Sequence, residues 1–260
     1  MIFRLLGKVR NSLVHASRNH LGSYVVRKIN KKKEPYQLHY PNDLVDLTRI
    51  LLPGDVLLVE GETGLSDWIK IFRTHTWSHC ALFVGNQFLF AATKPKNFVE
   101  AKPNLVEAII TRGIILSNID KYKNCNLRVC RPKNLTRKDR ETVIRFALDK
   151  VGLPYDQENI YRFMSLPFNE KSRPTDDIGT SKAGKYTCSS LIATAFKQVG
   201  LDVLHFYDRE AKKLVPYHTS QIQPKDFDLS PNFEIINIYP STSKKPMGFL
   251  RNLFPKQKSA

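Results

Sequence analysis

Apolar runs of strand length, each bounded by turn residues, constrain the fold of this chain more than any other feature of its sequence. The first run opens with a Pro-Gly turn. Gly85-Asn86 lies between the second and third runs and is placed to join them as a hairpin. Short runs joined by such turns are typical of antiparallel strands. The runs cover residues 51–59, 78–84, 87–92, 105–110, 126–130 and 233–238.

Helical patterns lie apart from these strands. A short helix is predicted at 66–72, with Ser66 as its N-cap. A longer helix is predicted at 136–151, where Gly152 follows as a stop signal, and another at 189–199, before Gly200. Antiparallel strands with separate helices predict an α+β fold.

Both ends of the chain differ in composition from its middle. Residues 1–33 contain Lys and Arg but no acid, and their apolar residues fall on one helical face. A basic amphipathic helix of this kind suits an anionic membrane surface, although a helix packed on the domain or a frayed tail would read the same way. We predict an N-terminal extension at 1–39, a compact domain at 40–240 and a basic tail at 241–260.

The charge of the chain bears on its partners. Lys and Arg number 41 against 24 Asp and Glu, a net charge of +17, which attracts nucleic acid, anionic lipid or an acidic partner. No helix-turn-helix, zinc-finger or RNP-type motif is present, so the sequence disfavours nucleic-acid binding.

The four cysteines form no CxxC pair, and we expect neither a metal nor a cofactor. Their small number fits a reducing compartment better than a disulfide framework. The sequence has no Sec-type signal and no apolar segment of about 20 residues. We therefore expect a protein that is cytoplasmic or is exported without a Sec signal, with peripheral membrane attachment as an alternative.

Cys188 is the most informative single residue. It follows Thr187 and opens the apolar helix predicted at 189–199. A thiol at a helix N-terminus lies at the positive end of the peptide dipole, which lowers its pKa and favours the thiolate. Position alone allows two interpretations, a nucleophile or a buried structural cysteine.

A base and an orienting acid are available upstream. His79 opens the strand predicted at 78–84, on the face opposite to Cys80, and histidine suits proton transfer near neutral pH. Glu107 lies within an apolar strand, where a buried carboxylate needs a partner, and Glu100 has a similar context. Either acid could orient the imidazole.

Five motifs, in this order, resemble the circularly permuted papain-like (NlpC/P60-type) cysteine hydrolases, a group that includes the YiiX-like proteins. The motifs are Pro53-Gly54-Asp55, Ser78-His79, Val106-Glu107-Ala108, the segment Gly152 to Asp156, and Thr187-Cys188-Ser189. The resemblance spans residues 51–200. It implies an antiparallel sheet packed against a Cys-bearing helix, with Cys188 as nucleophile, His79 as base, Glu107 as orienting acid and Tyr155 lining the site.

The family's default substrate is an amide, in a cell-wall peptide or a protein, cleaved through a thioester. The basic ends of this chain favour a second enzymatic alternative, a phospholipase or acyltransferase acting on lipid esters. A third possibility is a binding module for nucleic acid or an anionic surface, without catalysis. The insert at 161–185 departs from the family pattern and could reshape the cleft.

Overall fold

The computed structural model describes residues 44–60, 76–85, 99–100, 102–159, 174–177 and 184–238. Six strands in these ranges form one antiparallel sheet in the order β4-β3-β2-β1-β5-β8, and β6 and β7 pair as a separate antiparallel hairpin. The strands are β1 Val56–Glu60, β2 His79–Phe83, β3 Leu105–Ile109, β4 Gly113–Ser117, β5 Asn126–Pro132, β6 His205–Asp208, β7 Lys213–Pro216 and β8 Phe233–Ile236.

α-Helices and 3-10 helices accompany the strands in the described ranges. The α-helices are α1 Leu44–Ile50, α2 Arg137–Asp149, α3 Cys188–Lys197 and α4 Pro224–Leu229, and the 3-10 helices are Ile119–Tyr122 and Thr219–Gln221. Thr136 caps α2 and Thr187 caps α3, each with its side-chain oxygen accepting a backbone N–H three residues on. These reciprocal caps satisfy N–H groups that a helix start leaves without partners.

Each face of the large sheet carries its own apolar core. One face, which includes Leu58, Cys80 and Leu82, packs against α2 and α3. The other, which includes Ala81 and Leu105, packs against apolar residues from α1 and the first 3-10 helix. Burial of a large apolar side chain contributes roughly 1.5–3 kcal/mol, so the first face anchors α3, and with it Cys188, firmly on the sheet.

Two sequence motifs have clear structural roles. In Pro53-Gly54-Asp55, the buried carboxylate of Asp55 accepts two hydrogen bonds from Arg131, at 2.9 Å and 2.8 Å, which ties the start of β1 to β5. Gly113 begins β4 with φ at +75°, and a Cβ there would collide with the carbonyl oxygen of Leu153. This close approach holds residues 152–156 along β4, because Ile114 N–H donates to Leu153 O at 2.9 Å.

Most elements predicted in the described ranges are confirmed, as is the α+β class with an antiparallel sheet. Strand β4, the β6–β7 hairpin and helices α1 and α4 were not predicted. The helix expected at 66–72 and the strand at 87–92 lie outside the described residues, as do the extensions at 1–39 and 241–260. In the part of the chain that the structure describes, no helix has the length and apolar character needed to cross a bilayer.

Candidate active site

Cys188 is the first residue of α3, and its side chain is almost fully buried, with 7% exposed. Thr187 accepts the N–H of Ser190 at 3.1 Å, and Ser190 in turn accepts the N–H of Thr187 at 2.9 Å. The double cap fixes the entry of the chain into the helix, so the thiol has a defined direction.

His79 and Glu107 lie on neighbouring strands of the sheet. The register pairs Leu82 with Val106 and Phe83 with Leu105, and continuing it places Glu107 opposite Ala81, two residues from His79 on the same face. Diagonal neighbours of this kind are within reach of long side chains. Nε2 of His79 lies 2.6 Å from Oε2 of Glu107. Because a carboxylate only accepts, Nε2 carries the proton.

Glu107 is fully buried, and four donors surround its carboxylate. Oε2 accepts from His79 and, at 2.5 Å, from the hydroxyl of Tyr122. Oε1 accepts from the hydroxyl of Ser117 and, at 2.5 Å, from Nζ of Lys121. Burial alone would raise the pKa of Glu107, but His79 and Lys121 hold that pKa well below its usual range. The carboxylate is therefore ionised and rigidly held.

The thiol of Cys188 lies beside the imidazole of His79, and each side chain shifts the pKa of the other. Since Glu107 engages Nε2, the nitrogen left for Cys188 is Nδ1. Burial alone would lower the pKa of His79, but the hydrogen bonds and charges of Cys188 and Glu107 raise it to about 9. The pKa of Cys188 is well below its ordinary value, mainly through a hydrogen bond from Cys80 and, against burial, the hydrogen bond and charge of His79. These opposite shifts favour a thiolate and an imidazolium over the neutral pair.

Tyr155 is the fourth residue singled out from the sequence, and it lies beside Cys188. It forms a parallel bridge with Tyr186, two residues before the nucleophile candidate. Burial, together with the nearby charges of Cys188 and Cys80, raises the pKa of the Tyr155 phenol, while a backbone hydrogen bond from Cys188 opposes that rise. The hydroxyl is therefore protonated at neutral pH and close to the start of α3.

The rival acid, Glu100, lies elsewhere. Its carboxylate forms an ion pair with Arg112 and accepts the N–H of Asn118 at 3.3 Å. The structure thus brings together Cys188, His79, Glu107 and Tyr155, and leaves Glu100 outside the group. Among the described residues, no three or more His, Cys, Asp or Glu side chains are grouped so as to hold a metal ion.

Sequence reasoning missed Ser117, Lys121, Tyr122 and Cys80. Ser117 contacts Glu107 because β3 and β4 pair, and β4 was not predicted. Lys121 and Tyr122 belong to the 3-10 helix that follows β4, where Asn118 accepts the N–H of Asp120 as N-cap at 2.8 Å. Asn118, a residue type typical of turns, precedes Lys121 and Tyr122 and was the available signal for that turn.

Comparisons with known proteins add little to this geometry. No protein-family model matches the chain, and no curated protein matches it. Among solved structures it is similar to the crystal structure of metalloprotein yiiX from Escherichia coli O157:H7, at 12% sequence identity and a TM-score of 0.46. The match covers 71% of this chain and 96% of that one.

Proposed function

We propose that this chain is a cysteine hydrolase of the circularly permuted papain-like type, cleaving an amide bond in a peptide or protein through a thioester. Cys188 is the nucleophile, His79 the acid and base, and Glu107 the residue that orients the imidazole. One observation carries the proposal: the imidazole of His79 donates to the buried carboxylate of Glu107 at 2.6 Å and lies beside Cys188, which together with Glu107 raises the pKa of His79.

The order and placement of these groups support the permuted type. His79 precedes Cys188 in the chain, His79 and Glu107 lie on adjacent strands of an antiparallel sheet, and Cys188 opens a helix packed on that sheet. A nucleophile, a base within hydrogen-bond reach and a third group that orients the base form the general constellation of nucleophilic catalysis.

The first step is attack of the thiolate on an acyl carbonyl. The lowered pKa of Cys188 and the raised pKa of His79 favour the thiolate–imidazolium pair, from which no proton needs to leave the thiol as the bond forms. Negative charge then develops on the carbonyl oxygen. The protonated hydroxyl of Tyr155, next to the start of α3, is a donor available to stabilise it.

The charge state of His79 favours an amide over an ester. An amine is a poorer leaving group than an alcohol and has to be protonated as the C–N bond breaks. With a pKa near 9, His79 carries the proton that the amine needs throughout the neutral range. The neutral imidazole left behind can then take a proton from water, which attacks the thioester and regenerates the thiolate.

Intact-mass spectrometry tests this proposal. The wild-type protein and Cys188→Ala are incubated separately with a mixture of peptides, with cell-wall peptide fragments and with anionic phospholipid vesicles. Peptide or cell-wall fragment cleavage by the wild type alone would support the amide hydrolase. If only the lipid vesicles give an acyl adduct, the substrate is an ester and not an amide. Equal cleavage by Cys188→Ala would reject Cys188 as the nucleophile.

A further inference from the structure

A second free thiol lies against the candidate nucleophile, and the mechanism above does not use it. Cys80 is fully buried, follows His79 in β2, and lies in the same apolar core as Cys188, with the two thiols beside each other. The two residues are 108 positions apart in the sequence numbering, 80 and 188, and meet because α3 packs on the Cys80 face of the sheet. Both are free cysteines.

The environments of the two thiols differ in a way that matters for their chemistry. The hydrogen bond from Cys80 is the largest cause of the low pKa of Cys188, and burial followed by that same hydrogen bond raises the pKa of Cys80. These opposite shifts favour negative charge on Cys188 and keep the proton on Cys80. Thiolates react with peroxides, whereas buried neutral thiols do not.

We propose that Cys80 is the resolving cysteine of Cys188, so that a hydroperoxide converts the pair into a disulfide and reversibly blocks the nucleophile. In the first step the Cys188 thiolate attacks the peroxide O–O bond, which gives a sulfenic acid and releases hydroxide or alkoxide. In the second, the Cys80 sulfur displaces the hydroxyl of the sulfenic acid, the S–S bond forms, and the proton of Cys80 leaves with that hydroxyl as water.

His79 can assist the second step because it contacts Cys188. Its imidazolium protonates the departing hydroxyl, and the proton lost by Cys80 restores the imidazolium. The peroxide is the two-electron oxidant, and both electrons come from the two thiols. A dithiol reductant reverses the reaction by thiol–disulfide exchange.

The consequence for the enzyme depends on the function proposed above: the disulfide switches off hydrolysis only if Cys188 is the nucleophile. The disulfide itself does not depend on catalysis. It would also protect Cys188 from irreversible oxidation to the sulfinic acid, since the sulfenic acid is consumed by a neighbouring thiol before a second peroxide reacts.

Peptide mapping after brief treatment with hydrogen peroxide tests the proposal without any substrate. Trypsin separates the four cysteines, because Cys80 falls in residues 74–96, Cys125 in 124–128, Cys130 in 129–133 and Cys188 in 186–197. The protein is treated, free thiols are blocked with N-ethylmaleimide, and the digest is analysed with and without reductant. Cys80→Ala is the test variant and Cys130→Ala, another buried thiol on the same face, is the matched control.

We expect the wild type and Cys130→Ala to yield peptide 74–96 linked to peptide 186–197, with an intact-mass loss of about 2 Da that reductant restores. In Cys80→Ala the link is absent, and the Cys188 that is oxidised gains about 32 Da as the sulfinic acid. The proposal is overturned if wild-type Cys80 is fully alkylated by N-ethylmaleimide while the oxidised Cys188 is recovered as the sulfinic acid, as in Cys80→Ala. A link from Cys80 to Cys130 would overturn it as well.

Substrate turnover then separates this proposal from the previous one. A disulfide that forms while amide cleavage is never observed supports the resolving role and rejects the hydrolase. Cleavage that persists in full after complete disulfide formation rejects Cys188 as the nucleophile, whereas cleavage without any disulfide rejects only the role of Cys80.

Discussion

Nε2 of His79 lies 2.6 Å from Oε2 of Glu107. The two residues lie on neighbouring strands, but they are not opposite each other in the strand register. The contact is diagonal across β2 and β3, and it fixes both the tautomer and the tilt of the imidazole. It also assigns the ring's other nitrogen to Cys188, which lies beside the same side chain. The expected behaviour of variants follows from this arrangement.

Glu107→Gln should lower kcat/KM roughly 100-fold or more, because the amide cannot supply the charge that stabilises the imidazolium. Steady-state kinetics on a cleaved substrate measures the effect, and circular dichroism checks that the variant folds. Glu100→Gln is the matched control, since its partially exposed pair with Arg112 contributes at most about 1 kcal/mol and does not touch His79. If Glu100→Gln shows the larger loss, the orienting acid has been assigned to the wrong glutamate.

Lys121→Met should make the stability of the protein less dependent on pH below neutrality. Lys121 helps to depress the pKa of Glu107. A depressed carboxyl pKa stabilises the fold above the unfolded value of about 4.3, and that contribution is lost as pH falls. The melting temperature of Lys121→Met should therefore lie below that of the wild type at pH 7, and this difference should narrow by pH 3.

Lys123→Met, which replaces an exposed lysine next to the same 3-10 helix, is the control and should show no such difference in melting temperature. A difference for Lys121→Met that stays constant across pH would contradict the role given to Lys121.

Amide cleavage should decline as pH rises through about 9, the pKa of His79, because the imidazolium that protonates the leaving amine is lost there. Alkylation of Cys188 by iodoacetamide needs only the thiolate and should not decline over the same range. The pH dependence of kcat and that of the Cys188 alkylation rate are measured in parallel. Loss of cleavage near pH 6.5 instead would indicate an unperturbed histidine.

Tyr155→Phe should reduce kcat roughly tenfold to 100-fold through loss of one donor to the oxyanion, while alkylation of Cys188 stays within about twofold of the wild-type rate, because the thiolate does not depend on that hydroxyl. Tyr186→Phe, the bridge partner of Tyr155, serves as the control and should retain full activity. Equal losses in both variants would mean that the two hydroxyls support the fold and that neither of them acts on the substrate.

Several site features could be read from the sequence because they depend on local patterns. The apolar helix between Thr187 and Gly200 located Cys188 at a helix start, and strand alternation placed His79 and Cys80 on opposite faces. The choice between Glu107 and Glu100 could not be made, because it depends on the register between β2 and β3, a contact between segments distant in sequence.

The environment of Glu107 was equally out of reach. Its donors come from β4 and the following 3-10 helix, and β4 begins at Gly113 with a positive φ where the chain meets Leu153. That packing also brings Tyr155 beside Cys188. The same limit applies to Cys80: alternation placed it on the face opposite to His79, but only the docking of α3 shows that this face meets Cys188.

The pH dependence of Cys188 alkylation, followed on peptide 186–197 in the wild type and in His79→Gln, tests the central claim most directly. In the wild type, Cys188 should react with iodoacetamide faster than the half-buried Cys125, with a midpoint far below the ordinary thiol pKa of about 8.5. His79→Gln should move that midpoint upward. A wild-type midpoint near 8.5, unchanged in His79→Gln, would contradict the claim that Cys188 and His79 form an activated pair.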